Sequence, residues 1–207
     1  IGDYYGIRGQ RAIVALRAGK HVIADKPLCT SLDEIDEIER LSREKGLQVG
    51  VMLSLRYDGT MRLARTLVQE GRIGELRNVA CTGQHPIDYP QRAGWYFEPG
   101  KHGGTFNDIG IHGFDAIAMV TGLGYGRTLF ARQWNCYAPE AQHFLDSAQV
   151  MGEWANGAAF LSDVSYCAPS PSGYRLPTYW RFTFWGADGM IECRFHSGEV
   201  LLGRNIT

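Results

Sequence analysis

The chain has 207 residues, a formal charge of −1 at pH 7 and 44% hydrophobic residues. This composition supports a packed core and argues against a disordered chain, and the near-neutral charge argues against binding to nucleic acids or anionic membranes. No apolar run approaches the roughly 20 residues that cross a bilayer. The five cysteines are scattered singly, a pattern typical of free thiols in a reducing cytoplasm and not of a disulfide framework or a zinc site.

The first quarter of the chain alternates helices and strands. Residues 10–18 have apolar side chains at helical spacing and end at a glycine, which predicts a helix. A short apolar strand over 21–24 then runs into Asp25-Lys26-Pro27. An amphipathic helix over 30–45 and a strand over 47–53, apolar enough to be buried on both faces, follow. This α-β-α-β order predicts a parallel sheet covered by helices.

The middle of the chain changes character. We predict a helix over 60–70 and a strand over 76–83, followed by a long loop over 85–101 that is rich in aromatic residues. Loops of this length in compact domains are usually functional or mobile. Trp95 in this loop could stack on a sugar ring or could simply pack the loop. His85, directly after the strand, is a weaker candidate for a cleft.

The second half of the chain consists mainly of strands. They are predicted over 128–137, 148–154, 158–166, 179–185 and 190–195. Asn156-Gly157 and Asp188-Gly189 are hairpin turn signals between neighbouring strands. A largely antiparallel sheet is therefore predicted for this half.

Asp108 and His112 stand four residues apart at the start of a predicted helix, after Gly103-Gly104. This spacing places both side chains on one helix face, where a carboxylate and an imidazole form a plausible acid–base pair. The alternative is that Asp108 caps the helix and His112 is an ordinary half-buried residue, because helix starts favour aspartate for structural reasons. The spacing alone does not decide between the two.

The order of these elements and motifs resembles the Gfo/Idh/MocA family of NAD(P)-dependent sugar and polyol oxidoreductases. Asp25-Lys26-Pro27 is similar to the family's Glu-Lys-Pro motif, with aspartate in place of glutamate. Gly71-Arg-Ile-Gly74 and the segment from Gly103 to His112 match two further family motifs. Each motif alone is weak, but together and in this order they are specific, and the resemblance covers nearly the whole chain.

The resemblance implies a fold with two parts. Residues 1–54 are expected to form the C-terminal part of a Rossmann-type parallel sheet, as a partial dinucleotide-binding domain. Residues 55–207 are expected to form an α+β substrate-binding and oligomerisation domain, with a largely antiparallel open sheet and helices on one face. The implied cofactor is NAD or NADP, the implied substrate a sugar, polyol or related hydroxy compound, and the implied assembly a cytoplasmic dimer or tetramer formed through the antiparallel sheet.

The resemblance also implies roles for individual residues. Lys26 resembles the family lysine that reaches the nicotinamide and the reacting hydroxyl, while Asp108 and His112 resemble the substrate-orienting carboxylate and the proton-transfer residue. The chemistry agrees, because a histidine suits proton transfer near neutral pH and a lysine stabilises a developing alkoxide. The other implied contacts are Asp25, Pro27 and Arg56 for the cofactor and Trp95 and Asn107 for the substrate. The alternatives are a solvated turn lysine at position 26, a structural histidine at 112 and a surface arginine at 56.

The family's glycine-rich G-x-G-x-x-G turn would precede Ile1, so the sequence is expected to be a fragment lacking about half of its nucleotide-binding domain. Hydride transfer needs an acceptor that no side chain provides, so a cofactor must carry that step. Two functions stay open. The chain is either the catalytic and substrate-binding portion of a dehydrogenase, or a non-catalytic remnant that acts in oligomer assembly or binding.

Overall fold

The structure, a computed structural model, describes residues 1–88, 91–176 and 179–204 and contains two sheets. The first sheet pairs β1 (Val22–Asp25) with β2 (Val49–Met52) in parallel. Helices α1 (Tyr5–Arg17) and α2 (Leu32–Lys45) cover one face of it. The predicted α-β-α-β order is confirmed. No helix within the described ranges is long and apolar enough to cross a membrane.

Helix α1 begins at Tyr5, five residues before its predicted start. Its first turns contain Gly6 and Gly9, which weaken the helical pattern of the sequence but allow close packing. A Cβ atom at Gly6 would lie 2.4 Å from the carbonyl oxygen of Gly100, and one at Gly9 would lie 2.1 Å from the Glu34 carboxylate. These glycines are therefore explained by neighbours that are distant in sequence.

The second face of the small sheet is exposed, so the prediction that residues 47–53 are buried on both faces is wrong. The exposed fractions of Ile23 and Met52 on that face are 69% and 62%. Helix α2 is also less buried than its pattern predicts. Ile38 and Leu41 on its apolar face are buried, but Leu32 at its start is 82% exposed. Within the described residues, α1 and α2 are the helices that pack on β1 and β2, and they cover a single face.

The second part of the molecule is a seven-stranded sheet with helices on one face. Its strands are β3 (Leu76–Pro86), β4 (Tyr125–Trp134), β5 (Ser147–Trp154), β6 (Ala159–Ala168), β7 (Trp180–Gly186), β8 (Gly189–Arg194) and β9 (Glu199–Arg204). The order is β4-β5-β6-β3-β7-β8-β9, and every pair is antiparallel except β3–β6. Helices α3 (Gly59–Gln69) and α4 (Ile111–Thr121) contribute to the core on one face. The predicted fold class is confirmed.

Several boundaries differ from the predictions. Strand β3 extends to Pro86, so His85 lies within a strand and not in the predicted loop. Residues 89 and 90 of that loop lie outside the described residues. Strand β9 was not predicted, and β4 begins three residues early. The turns at Asn156-Gly157 and Asp188-Gly189 are confirmed as hairpin connections. Strand ends shift because cross-strand partners, which the local sequence does not contain, decide where pairing stops.

Candidate active site

Asp108 is the centre of a buried polar cluster between the two parts of the molecule. Its side chain is 4% exposed and forms an ion pair with the Lys26 ammonium group. The Tyr5 hydroxyl donates to Oδ1 of Asp108 at 2.7 Å, and Nε2 of His102 lies 3.2 Å from Oδ2. Because charge-assisted hydrogen bonds of this kind are strong in a buried site, the carboxylate is held in one orientation.

The local backbone explains how Asp108 reaches Lys26. Lys26 directly follows β1, and its Nζ atom also donates to the main-chain oxygen of Asp108 at 2.8 Å. Asp108 lies in a single π-helical turn, Phe106–Gly110, ahead of α4. Gly103 and Gly104, with φ of 79° and 91°, turn the chain into it. A Cβ atom on Gly103 would lie 2.5 Å from the side chain of Thr30, so only glycine allows this approach.

The hydrogen bonds around His102 assign its tautomer. Nδ1 of His102 accepts the main-chain N–H of Gly104 at 3.2 Å. A neutral imidazole with an accepting Nδ1 carries its hydrogen on Nε2, so His102 donates that hydrogen to Asp108. The ring is buried between Tyr5, Tyr96 and Phe144. His102 therefore supports the carboxylate from a buried position.

The electrostatics keep Asp108 ionised. Burial by itself raises the pKa of the Asp108 carboxyl, but the His102 hydrogen bond and the Lys26 charge together lower that pKa far below its usual range. The carboxylate points at Lys26, Tyr5 and His102 and caps no backbone N–H group among the described residues. The helix-cap alternative is therefore wrong, and Asp108 is an ion-paired carboxylate.

His112 lies on α4 with its ring centroid 6.3 Å from the Trp180 ring. Its Nδ1 atom is buried and has no hydrogen-bond partner among the described residues. Burial and the nearby Lys26 charge lower the pKa of His112 to about 4. The imidazole is therefore neutral at pH 7, and its buried Nδ1 atom is left without a partner in the described part of the chain. Asp108 bonds to other groups, so the two residues are neighbours and not a hydrogen-bonded pair.

His85, on β3, has a matching environment. Its ring centroid lies 5.7 Å from Trp180 and 4.9 Å from Tyr179, and its Nδ1 atom is also buried without a hydrogen-bond partner in the described part of the chain. Burial lowers the pKa of His85 to about 3. Two neutral imidazoles thus contact the indole of Trp180, a position that the local sequence hardly indicates for His85.

Trp95 packs beside the cluster. Its ring lies 5.0 Å from the Tyr5 ring and 4.3 Å from the Tyr96 ring, and the Tyr5 and Tyr96 hydroxyls are 2.7 Å apart. Trp95 therefore packs on Tyr5, the residue that bonds to Asp108. Loop packing accounts for these contacts, and a role for Trp95 in substrate stacking stays a prediction.

Asp25 and Pro27 are held by a residue that sequence reasoning missed. Arg8, buried in α1, donates to the main-chain oxygens of Lys26 and Pro27 and lies 3.4 Å from the half-exposed Asp25 carboxylate. The Lys26–Pro27 peptide bond is cis. The Arg8 hydrogen bonds hold the backbone at Lys26 and Pro27, next to the lysine side chain that pairs with Asp108.

Arg56 forms a structural ion pair with Asp115. Its guanidinium makes a bidentate ion pair with Asp115 on α4, at 2.8 Å from Nε to Oδ2 and 2.6 Å from Nη2 to Oδ1. The hydrogen bonds from Asp115 raise the pKa of Arg56. The pair connects the chain after β2 to α4. Contact of Arg56 with a cofactor stays a prediction.

Asn107 is not brought together with the Asp108 carboxylate. Its amide donates to the main-chain oxygen of Gly103 at 2.8 Å. It lines a separate cavity of about 350 Å³, whose other walls are mainly apolar: Phe106, Ile111, Phe114, Ala131 and Val150. Its predicted contact with the substrate stays a prediction.

The cluster contains two residues that were not among the predicted site residues, Tyr5 and His102, while Tyr96 belongs to the predicted loop rich in aromatic residues. His102 stands directly before Gly103-Gly104, and this position was the one available signal. Tyr5 offered none, because it is separated from Asp108 by 103 positions and belongs to a helix whose start was not predicted.

These residues fit the nicotinamide end of a dinucleotide cofactor. The Lys26 ammonium group directly follows a parallel strand, where such ligands bind in α/β sheets, and its charge acts on the nearby His112, whose Nδ1 atom has no partner among the described residues. The connections that leave β1 and β2, residues 26–31 and 53–58, contain no glycine. They therefore lack the glycine-rich turn that binds a pyrophosphate.

A parallel Rossmann-type unit joined to an open sheet, with a lysine and a neutral histidine near their junction, defines a nicotinamide-dependent oxidoreductase class. Two family models match accordingly. Residues 8–53 match the oxidoreductase family with an NAD-binding Rossmann fold, and residues 61–192 match the GFO/IDH/MocA C-terminal domain. The chain belongs to the Gfo/Idh/MocA family, and the predicted nicotinamide cofactor is confirmed as that of the family.

Individual relatives agree with this assignment. The chain is 35% identical over 113 residues to 1,5-anhydro-D-fructose reductase of Ensifer adhaerens, which covers 54% of this chain and 33% of the relative. It is 25% identical over 118 residues to scyllo-inositol 2-dehydrogenase (NADP⁺) of Bacillus subtilis, which covers 57% of this chain and 33% of the relative. The chain thus spans about a third of the length of these curated relatives.

A solved structure of an oxidoreductase from Erwinia carotovora atroseptica superposes with a TM-score of 0.87 at 27% identity. The superposition covers 98% of this chain and 62% of that chain. The arrangement of both sheets is therefore one that the family adopts.

Proposed function

We propose that the chain is the substrate-binding and proton-transfer portion of an oxidoreductase that moves a hydride between a sugar, polyol or related hydroxy compound and NAD or NADP. The observation that carries the proposal is the contact between Lys26 and Asp108, which joins the end of a parallel strand to the larger α+β part. The named activities of the two curated relatives, on an anhydro-sugar and on an inositol, support this substrate class.

Lys26 is placed to act on the reacting oxygen. Its ammonium group has three N–H donors, and Asp108 takes two of them, through a main-chain oxygen and a carboxylate oxygen. The third can donate to a substrate hydroxyl and stabilise the negative charge that develops as this oxygen loses its proton. A bound nicotinamide supplies the hydride acceptor.

His112 is the candidate proton acceptor. Because its pKa is lowered to about 4, the imidazole is unprotonated at neutral pH and can accept the hydroxyl proton. In the reverse direction the imidazolium returns the proton to the carbonyl oxygen. Asp108, which stays ionised, does not exchange protons and keeps Lys26 in place.

The proposal is tested by titrating NADH and NADPH against the 207-residue chain and assaying turnover with a panel of sugars, inositols and their ketones. Lys26→Ala is expected to lower turnover by about 10²-fold or more, the usual effect of removing one such stabilising group. The exposed Lys20→Ala is the matched control and should behave as the wild type. Unchanged turnover in Lys26→Ala would remove Lys26 from the mechanism.

A second candidate function is assembly, which the uncovered face of the large sheet favours. That face carries exposed apolar side chains on several strands: Phe130, Met151, Leu161, Trp185 and Leu201. Exposed apolar patches of this kind mark interaction sites. We infer that this face pairs two copies of the chain, as a dimer or as part of a tetramer.

Light scattering after size exclusion tests the assembly. Leu161→Glu should convert the oligomer to a monomer, and Leu63→Glu, a similarly exposed leucine on α3, should not. A monomeric wild-type chain would refute pairing. Stable association without any binding of NADH or NADPH would instead favour a non-catalytic assembly role over the oxidoreductase proposal.

A further inference from the structure

A second polar cluster lies at the start of β5. Cys136 follows β4 and Cys167 lies in β6, and their sulfur atoms are 4.0 Å apart. Strand β5 separates β4 from β6 along the sheet, but it begins only at Ser147. Side chains beyond that end can therefore meet. Cys136 is exposed and Cys167 is half-buried, so the pair is accessible from solvent.

Asp146 holds the chain around Cys136 in place. It is fully buried, and its carboxylate accepts the main-chain N–H groups of Cys136 at 3.0 Å, Tyr137 at 2.8 Å and Ala138 at 3.0 Å. The hydroxyl of Ser147 donates to the same carboxylate at 3.0 Å. The Cys136 thiol also donates to Oδ1 of this carboxylate at 3.4 Å. The other four donors keep both carboxylate oxygens satisfied, so losing the thiol hydrogen leaves no buried acceptor unsatisfied.

The same hydrogen bonds argue against a metal ion. Cys136, Asp146 and Cys167 have ligand atoms close enough to share one ion, but five donors, the Cys136 thiol among them, already occupy the carboxylate of Asp146. A structural zinc site has four ligands, predominantly thiolate and imidazole, and the described residues offer two thiols here. A dithiol is therefore the better account of the cluster.

We propose that Cys136 and Cys167 form a dithiol–disulfide site that reacts with low-molecular-weight disulfides of the glutathione type. The thiolate of Cys136 attacks one sulfur of the oxidant, forms a mixed disulfide and releases the first thiolate. Cys167 then attacks the Cys136 sulfur, forms the intramolecular bond and releases the second. Two protein thiols are oxidised by two electrons, and one disulfide is reduced to two thiols that take up the two protons.

The assignment of the two roles follows from exposure. Cys136 is the attacking sulfur because it is the exposed member of the pair, and Cys167 resolves the mixed disulfide from 4.0 Å away. Burial and the neighbouring Asp146 raise the pKa of Cys136, so the exchange should accelerate as the pH rises. Cys81 and Cys193 are buried, and burial raises the pKa of each thiol to about 12, which keeps them out of the reaction.

The test is thiol counting and intact mass after incubation in glutathione buffers of increasing oxidised fraction. The wild-type chain should lose two of its five thiols, without gaining glutathione, and peptide mapping should show a Cys136–Cys167 link. Cys167→Ser should stop at one glutathione on Cys136. Cys29→Ser, at the remaining cysteine outside the pair, should form the same link as the wild type.

Three results would overturn the proposal. The first is glutathione on both Cys136 and Cys167 with no link between them. The second is five unreacted thiols in fully oxidised glutathione at pH 8.5. The third is stoichiometric zinc that is released from the purified chain by a chelator and is lost in Cys136→Ser, which would assign the cluster to a metal.

Discussion

The Nζ atom of Lys26 lies 2.8 Å from the main-chain oxygen of Asp108 and forms an ion pair with the carboxylate of the same residue, across 82 positions of sequence. Both side chains are largely buried, at 20% and 4% exposed. A buried charge that loses its partner is costly, because the remaining ion stays desolvated. This single contact therefore links the stability of the molecule to its candidate active site.

Lys26→Met is expected to destabilise the chain by about 3 kcal/mol, because it leaves the Asp108 carboxylate without its cation. Urea unfolding followed by circular dichroism measures the change. Arg43→Met, which removes an exposed ion pair with Glu39 on α2, is the control and should leave the midpoint unchanged. Equal midpoints for Lys26→Met and the wild type would show that the pair does not stabilise the fold.

His112 should make stability depend on pH in the mildly acidic range. Its pKa is about 4 in the folded chain against an ordinary 6.5, so the unfolded chain binds the proton first as the pH falls. The free energy of unfolding is therefore not reduced by His112 above pH 6.5. It falls by about 3 kcal/mol in total as the pH drops from 6.5 to 4.

Urea unfolding at a series of pH values tests this dependence. His112→Gln should flatten the slope, and a part should persist because the pKa of His85 is also lowered, to about 3. The exposed His196→Gln is the control. If His112→Gln keeps the full slope, His112 does not titrate as proposed.

Tyr5→Phe removes one hydroxyl that bonds both to Asp108 Oδ1 and to the Tyr96 hydroxyl. The expected loss is about 1–3 kcal/mol, because a buried charged acceptor loses a donor. Thermal or urea unfolding measures it. Tyr57→Phe, at a tyrosine that is 82% exposed, provides the matched control. Indistinguishable stabilities for the two variants would argue that the Tyr5 hydroxyl contributes nothing.

Gly83→Ala should disturb the packing of Trp180, which contacts the two neutral histidines. A Cβ atom at Gly83 would lie 2.5 Å from the Trp180 ring, and this indole contacts both His85 and His112. Overpacking of this kind costs about 1–3 kcal/mol. Gly50→Ala in β2, where the nearest atom would be 3.8 Å away, should be tolerated. Intrinsic tryptophan fluorescence during unfolding measures the stability of both variants.

Local patterns in the sequence were enough for the regular elements. Helix α2 follows from its apolar spacing and ends at Gly46, whose φ is 62°, and the hairpin at Gly157 follows from its turn residues, with φ of 82°. These features depend on residues within one or two turns of the chain. The predictions failed where distant neighbours decide, as at the start of α1 against Gly100 and at the exposed face of β2.

The candidate site also combines features that local sequence determines with features that depend on distant neighbours. The sequence by itself determined the family, because the motifs that contain Lys26, Asp108 and His112 occur in the family's order. Only the tertiary structure decided that Asp108 is an ion-paired anchor and not a helix cap. It also brought Tyr5 and His102 to that carboxylate. The physical reason is that burial and charge partners, which set the pKa of each group, come from segments far apart in the chain.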